Sequence, residues 1–192
     1  MRTATRSTGP NHVGETDASL SGRLLRVFGL QKSVKVILES SDQFVVFSLD
    51  EQRFALPLPV VERALRMVEI TPLPKAPDIV AGVVNVQGRI VPVIDIRKRL
   101  SRPAREIALT DQLIIAQTSK RLVALQVDSV GGLIERPKGA VIDAAEIVPG
   151  TGYLEGVAKL EDGLVLINDL ETFLSLEEEH SLRDALGSAT NG

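Results

Sequence analysis

From Gln43 onward the apolar residues fall into runs of strand length, broken by short polar or glycine-bearing turns. Phe44–Leu49 is apolar and β-branched, Asp50–Gln52 is a polar turn, and Arg53–Leu56 returns, which predicts a hairpin. Pro57 and Pro59 end it, since proline lacks the donor that a ladder needs. Val60–Leu65 has the spacing of a short helix, and Arg66–Ile70 reads as extended. Pro72, Pro74 and Pro77 keep the next stretch non-helical. Gly82–Val86, a turn at Gln87-Gly88 and Ile90–Asp95 predict a second hairpin, with Asp95 capping a helical turn over Arg97–Leu100.

The second half repeats this order. Leu113–Ala116, a turn at Thr118–Lys120 and Leu122–Val127 read as a third hairpin, and Asp128 and Val130 begin a loop punctuated by glycine and proline. Gly156–Leu160, a turn at Glu161–Gly163 and Leu164–Asp169 read as a fourth. Gly82–Leu100 and Gly156–Leu174 have the same length and the same order of glycine, strand, turn, strand, aspartate and closing leucine. Duplication is the reading that follows. Each half offers too few strands to bury much surface as an open sheet, so curling into two small barrels with a shared core is expected. Leu170, Phe173 and Leu174 place a helix over 169–186, with Glu177-Glu178-Glu179 as its solvated side. Residues 1–42 read as a polar tail in which Leu24, Leu25 and Phe28 form a short amphipathic stretch. The folded domain is placed at 43–176, and an acidic helix end and tail at 177–192.

Composition narrows the chemistry. Apolar residues make up 44% of the chain, close to the globular norm, so a packed core is expected. The net charge is −3 and aromatic residues are 3%, without the basic face or stacking platform of a nucleic-acid binder. The chain has no cysteine, and its two histidines, His12 and His180, sit in polar terminal segments. That removes most nucleophile–base pairs and transition-metal sites, so no catalytic residue, metal or other cofactor is expected. Asp95 and Asp169 occupy matched places at strand ends, which makes them helix caps rather than an acid–base pair. No apolar run reaches signal-peptide or membrane-span length, so a cytoplasmic location without membrane insertion is expected.

Between Phe44 and Leu176 the chain resembles the CheW-like domain of the chemotaxis coupling protein family. The resemblance is carried by Phe44-Val-Val-Phe-Ser-Leu with Arg53-Phe-Ala-Leu-Pro, by Ile70-Thr-Pro-Leu-Pro-Lys-Ala-Pro and by Gly82-Val-Val-Asn-Val-Gln-Gly-Arg-Ile-Val-Pro-Val-Ile-Asp95. Leu122–Val130 and Gly156–Leu176 complete it. Gly-x-x-Asn-x-x-Gly-x-x-x-Pro-x-x-Asp is the most specific piece. The resemblance implies a mainly β fold of two intertwined, five-stranded SH3-like barrels with short helices. It also implies a non-enzymatic adaptor in signal transduction, joining the cytoplasmic tip of methyl-accepting chemoreceptors to the regulatory domain of a CheA-type histidine kinase.

The candidate receptor-facing residues are then Glu62, Arg66, Asn85, Gln87, Gly88 and Val127, and the candidate kinase-facing residues are Val157 and Leu160. Glu62 and Arg66, four apart, would form an exposed helical ion pair of about 0.2–0.5 kcal/mol. Asn85 and Gly88 also suit a tight turn for purely structural reasons. Gln87 stands where the family usually carries an arginine, which removes a charge and implies a less electrostatic contact. Arg89 is the alternative source of that charge.

Overall fold

The computed structural model describes residues 41–147 and 152–190. The amphipathic stretch at Leu24–Phe28, and the tail except Ser41 and Asp42, lie outside the described residues. Strands β1 (Ser41–Leu49) and β2 (Gln52–Pro57) form the first hairpin, with β3 (Val61–Arg66) directly after it. The hairpin of β4 (Val80–Val86) and β5 (Arg89–Ile94) leads into a one-turn helix, α1 (Ile96–Arg99). Then come β6 (Gln112–Gln117), β7 (Leu122–Val127), β8 (Ser129–Pro137), β9 (Val141–Asp143) and α2 (Ala144–Ile147). The last hairpin, β10 (Leu154–Leu160) with β11 (Gly163–Asn168), precedes the terminal helix α3 (Leu176–Thr190).

These strands make two sheets, in the orders β8-β1-β2-β11-β10-β9 and β3-β6-β7-β5-β4. The halves of the chain exchange strands: β3 follows β2 but pairs with β6, and β8 follows β7 but pairs with β1. The two long crossings are closed by matching parallel ladders, Val93 beside Ala124 and Ile167 beside Ala55. The duplicated segments therefore occupy equivalent places in opposite sheets. The first sheet has six strands because β9 pairs with β10; in the second, the same place is held by a single bridge between Thr71 and Val83.

The glycines that open each repeat explain why the pattern needs them. A Cβ on Gly82 would lie 2.3 Å from the Thr71 carbonyl oxygen, and one on Gly156 would lie 2.5 Å from Val141 Cγ1. Both sit at register shifts, where the neighbouring segment presses against the bare backbone.

Three apolar cores result, and they account for the unbroken apolar runs. Phe44, Val46, Ala55, Ala158, Val165 and Ile167 fill the concave side of the first sheet. Val84, Val86, Val91, Val93, Leu113, Ile115 and Ala124 fill the second. Alternate residues of the same strands, among them Phe47, Phe54, Leu56, Ile114 and Leu125, meet between the sheets. A strand buried on both faces reads as continuous rather than alternating. Phe47 and Phe54 stack there with ring centroids 5.7 Å apart, worth about 0.5–1.5 kcal/mol beyond their buried area.

Three local expectations are corrected. Val60–Leu65 is not a helix: a 3-10 turn at Leu58–Val60 gives way to β3. Pro57 and Pro59 use up the helical start, and the exposed edge of β6 supplies a ladder that outweighs weak helical spacing. The stretch after Asp128 is not a loop but the nine-residue β8, bent where Gly132 takes φ 113°. The terminal helix begins at Leu176, not Asp169. A 3-10 turn at Leu170–Thr172 comes first, capped by Asp169, whose carboxylate accepts from Glu171 N at 2.9 Å. Asp95 likewise accepts from Arg97 N at 3.1 Å, so both aspartates cap turns.

Candidate interaction site

The turn between β4 and β5 is built by its own residues. Gln87 and Gly88 take φ of 53° and 83°, both positive as a two-residue hairpin turn of the right-handed twist requires. Asn85 Oδ1 accepts from Gly88 N at 2.8 Å and locks the turn from below. Asn85, Gln87 and Gly88 are all exposed, so they are structural and accessible at once.

The curl of the second sheet brings its edge strand β3 over this turn. Glu62 Oε1 receives Arg63 Nη2 at 2.6 Å and Arg89 Nη2 at 2.8 Å. Arg63 Nη2 also donates to Gln87 Oε1 at 3.2 Å. Hydrogen bonds from Arg89 and then Arg63 hold the Glu62 carboxyl below its usual range. Four side chains from two distant segments form one exposed polar cluster, with two guanidiniums against one carboxylate.

This geometry changes one sequence-based expectation and adds to another. Glu62 does not pair with Arg66: on a strand, residues four apart are separated by about 13 Å, and Glu62 is taken by Arg63 and Arg89. Arg66 instead lines a groove of about 330 Å³ with Leu109, Thr110 and Gln112, beside the 94% exposed side chain of Leu109. Beside the uncharged Gln87 lie two guanidiniums, those of Arg63 and Arg89. Gln87 and Arg89, two apart across the turn, both reach the Glu62–Arg63 pair. Arg89 was named from the sequence as the alternative source of charge, but Arg63 was not singled out, because a strand edge folded over a turn 24 residues away leaves no local pattern.

The remaining candidates divide by burial. Val127 is 1% exposed and packs in the core between the sheets. Val157 is also buried, and Leu160 is half-buried against the first core. The accessible apolar surface around them belongs to Ile142, paired with Val157 and 49% exposed, and Leu164, paired with Lys159 and 55% exposed.

A second ionic cluster lies between the sheets. The Arg97 side chain is 5% exposed and reaches Asp50 Oδ1 and Asp128 Oδ2, each at 2.8 Å. Arg105 joins Asp128 at 2.7 Å to the buried Asp111 at 2.8 Å. Asp50 N donates to Asp128 Oδ2 at 2.6 Å. Burial pushes Asp128 up, but bonds from Arg97, Asp50 N and Arg105 outweigh it and hold its carboxyl below the usual range. Three carboxylates are thus matched by two arginines, and among the described residues no group of side chains suited to a metal ion is present. The cluster ties the β1–β2 turn, α1 and the β7–β8 junction together at the point where the chain crosses between sheets.

The comparisons fit this architecture. The family model for the CheW-like domain matches residues 43–178. The chain is 24% identical over 154 residues to the chemotaxis protein CheW of Rhizobium meliloti (strain 1021), covering 79% of this chain and 99% of that protein. It is 28% identical over 144 residues to that of Thermotoga maritima, covering 73% and 94%. The crystal structure of the scaffolding protein TtCheW from Thermoanaerobacter tengcongensis superposes with a TM-score of 0.66 at 28% identity, over 71% of this chain and 94% of that one. With most of the chain matched by the family model and the fold shared with a solved relative, this chain belongs to the CheW-like domain family.

Proposed function

We propose that the chain is a non-enzymatic chemotaxis adaptor that couples the cytoplasmic tip of a methyl-accepting chemoreceptor to the regulatory domain of a CheA-type histidine kinase. The observation that carries the receptor side is the Glu62–Arg63–Gln87–Arg89 cluster. It is exposed, preorganised by its own bonds, and carries one net positive charge above a turn locked by Asn85. A receptor helix with acidic residues meets two guanidiniums already held in place, which favours specificity and encounter rate. Arg66 extends this basic edge along β3.

The kinase side falls to β9 and the last hairpin, where Ile142 and Leu164 are accessible, with the buried Val157 beside Ile142 and Leu160 turned to the first core. An apolar centre with a polar rim is the anatomy of a modest protein interface. The relatives named for chemotaxis, and the one described as a scaffolding protein, support an adaptor rather than an enzyme.

Titration calorimetry of the full chain against the isolated kinase regulatory domain tests this reading. Saturable binding at micromolar concentration is expected, weakened at least tenfold by Leu164→Glu. An absence of heat at tens of micromolar of both proteins contradicts the kinase assignment.

A further inference from the structure

A groove of about 340 Å³ opens between the loop after α1 and the entry to β10, on residues that neither the receptor nor the kinase reading uses. Phe54, Leu100 and Leu166 form its apolar floor, and Ser101, Arg102 and Tyr153 its rim. Ser101 takes φ 51°, which reverses the chain directly after α1. Arg102 N then donates to Arg97 O at 2.8 Å, and the Arg102 guanidinium comes to rest 5.9 Å from the centroid of the Phe54 ring.

Arg97 in α1 and Arg102 in the loop after it are in opposite situations. Arg97 is buried and saturated by Asp50 and Asp128. Arg102 lies on an aromatic face and makes no salt bridge among the described residues. A guanidinium held over a ring at this distance, with no hydrogen bond or salt bridge from its side chain among the described residues, has its N–H donors free for a carboxylate. Beside it the floor offers apolar surface that only an aliphatic or aromatic side chain would cover. The chemistry is therefore bipartite: one cation and an apolar slot.

We propose that this groove docks an acidic peptide segment of a partner protein, with an aliphatic side chain on Leu100 and Leu166 and a flanking carboxylate on Arg102. Charge complementarity selects the occupant, because a basic or purely apolar segment would leave Arg102 unpaired or facing a like charge.

The chain supplies its own reporter. Tyr153 is the only tyrosine and there is no tryptophan, so tyrosine emission of the full protein comes from the groove rim alone. The probes are two capped hexapeptides without aromatic residues, one alternating Glu and Leu, the other alternating Lys and Leu. The Glu-Leu peptide is expected to change Tyr153 emission saturably, and to bind several-fold more weakly as salt rises from roughly 50 to 300 mM. Arg102→Glu is expected to reverse the preference towards the Lys-Leu peptide, while Arg102→Lys retains the original one. No saturable change up to millimolar peptide, equal response to both peptides, or undiminished Glu-Leu binding by Arg102→Glu would each overturn the proposal. None of these outcomes depends on receptor or kinase binding.

Discussion

The guanidinium of Arg97 grips the carboxylate of Asp50 through two bonds, Nη2 to Oδ1 at 2.8 Å and Nη1 to Oδ2 at 3.2 Å. These residues are 47 apart, one in α1 and the other in the first hairpin turn. The fork therefore joins the second sheet's connection to the first sheet's leading hairpin, and Asp128 completes it from the start of β8. Removing Arg97 would leave Asp50 and Asp128 facing each other without a cation. Arg97→Met is expected to cost more than ~2 kcal/mol in urea denaturation, as loss of one partner from an enclosed pair does. A cost below ~0.5 kcal/mol would show that the cluster is incidental to the crossing.

The same cluster fixes the acid side of the stability profile. Asp50 is held below its usual range chiefly by the Arg97 hydrogen bond, and Asp128 by bonds that outweigh its burial. A carboxyl depressed in the folded state contributes stability above its unfolded value near 3.9, and that contribution is lost as pH falls through the lower folded value. Thermal stability should thus be insensitive to these groups from neutral pH to about 4, and should fall below that. Asp128→Asn should be less stable at neutral pH and show a shallower acid limb. Glu155 has the opposite sign: burial, with the charges of Asp169 and Asp42, pushes it up. The cost of ionising it appears as pH rises past the unfolded value and is complete above the raised folded one, so Glu155→Gln should raise the melting temperature at pH 7 and not at pH 3.

Asn168 is fully buried, and among the described residues neither Oδ1 nor Nδ2 has a hydrogen-bond partner. The equivalent position in the first repeat is Ile94, 1% exposed in the core between the sheets. An unpaired buried amide costs about 1–3 kcal/mol, so Asn168→Ile is expected to stabilise the fold by roughly 1–2 kcal/mol. Chemical denaturation reads this directly, and destabilisation of similar size would mean that the amide is satisfied in solution.

Gly82 and Gly156 offer a test of the repeat itself. Gly82 combines φ 151° with a carbonyl oxygen 2.3 Å from where a Cβ would sit, and Gly156 meets Val141 and the Ile142 carbonyl. Gly82→Ala and Gly156→Ala are each expected to destabilise by roughly 2–4 kcal/mol, since a Cβ would press on backbone at Gly82 and on the stiff Val141 side chain and the Ile142 carbonyl at Gly156. If either is neutral, the two hairpins do not share the same packing constraint.

The hairpins were legible because buried-on-both-sides strands leave unbroken apolar runs and two-residue turns leave polar or glycine punctuation. β3 was not, because Val60, Val61, Ala64 and Leu65 fit a helical spacing and only the ladder with β6 decides against it. β8 was hidden by Gly131-Gly132 and by a mostly exposed outer face that erases alternation. The acidic run at 177–179 read as a solvated face, yet Glu178 closes a capping box with Ser175 and bonds Arg99, and Glu179, 4% exposed, lies 2.5 Å from Arg121. The Ser175–Glu178 spacing was a signal present in the sequence; the Arg121 partnership was not. At the candidate site, Asn85, Gln87 and Gly88 were named through the family resemblance, and the turn that Asn85 and Gly88 suit was legible from their residue types alone. Arg89 was named as the alternative source of charge, whereas Arg63 and the shared partner Glu62 were missed as a cluster because they meet Arg89 only through the curl of the sheet.

The central claim is that one chain holds a receptor tip and a kinase regulatory domain at the same time through different faces. Sedimentation velocity of the chain with both fragments, alone and together, tests it most directly. The account predicts a ternary species with all three components, in which Arg63→Glu combined with Arg89→Glu removes only the receptor fragment and Leu164→Glu removes only the kinase domain. Displacement of one fragment by the other, or loss of both with either variant, would contradict it.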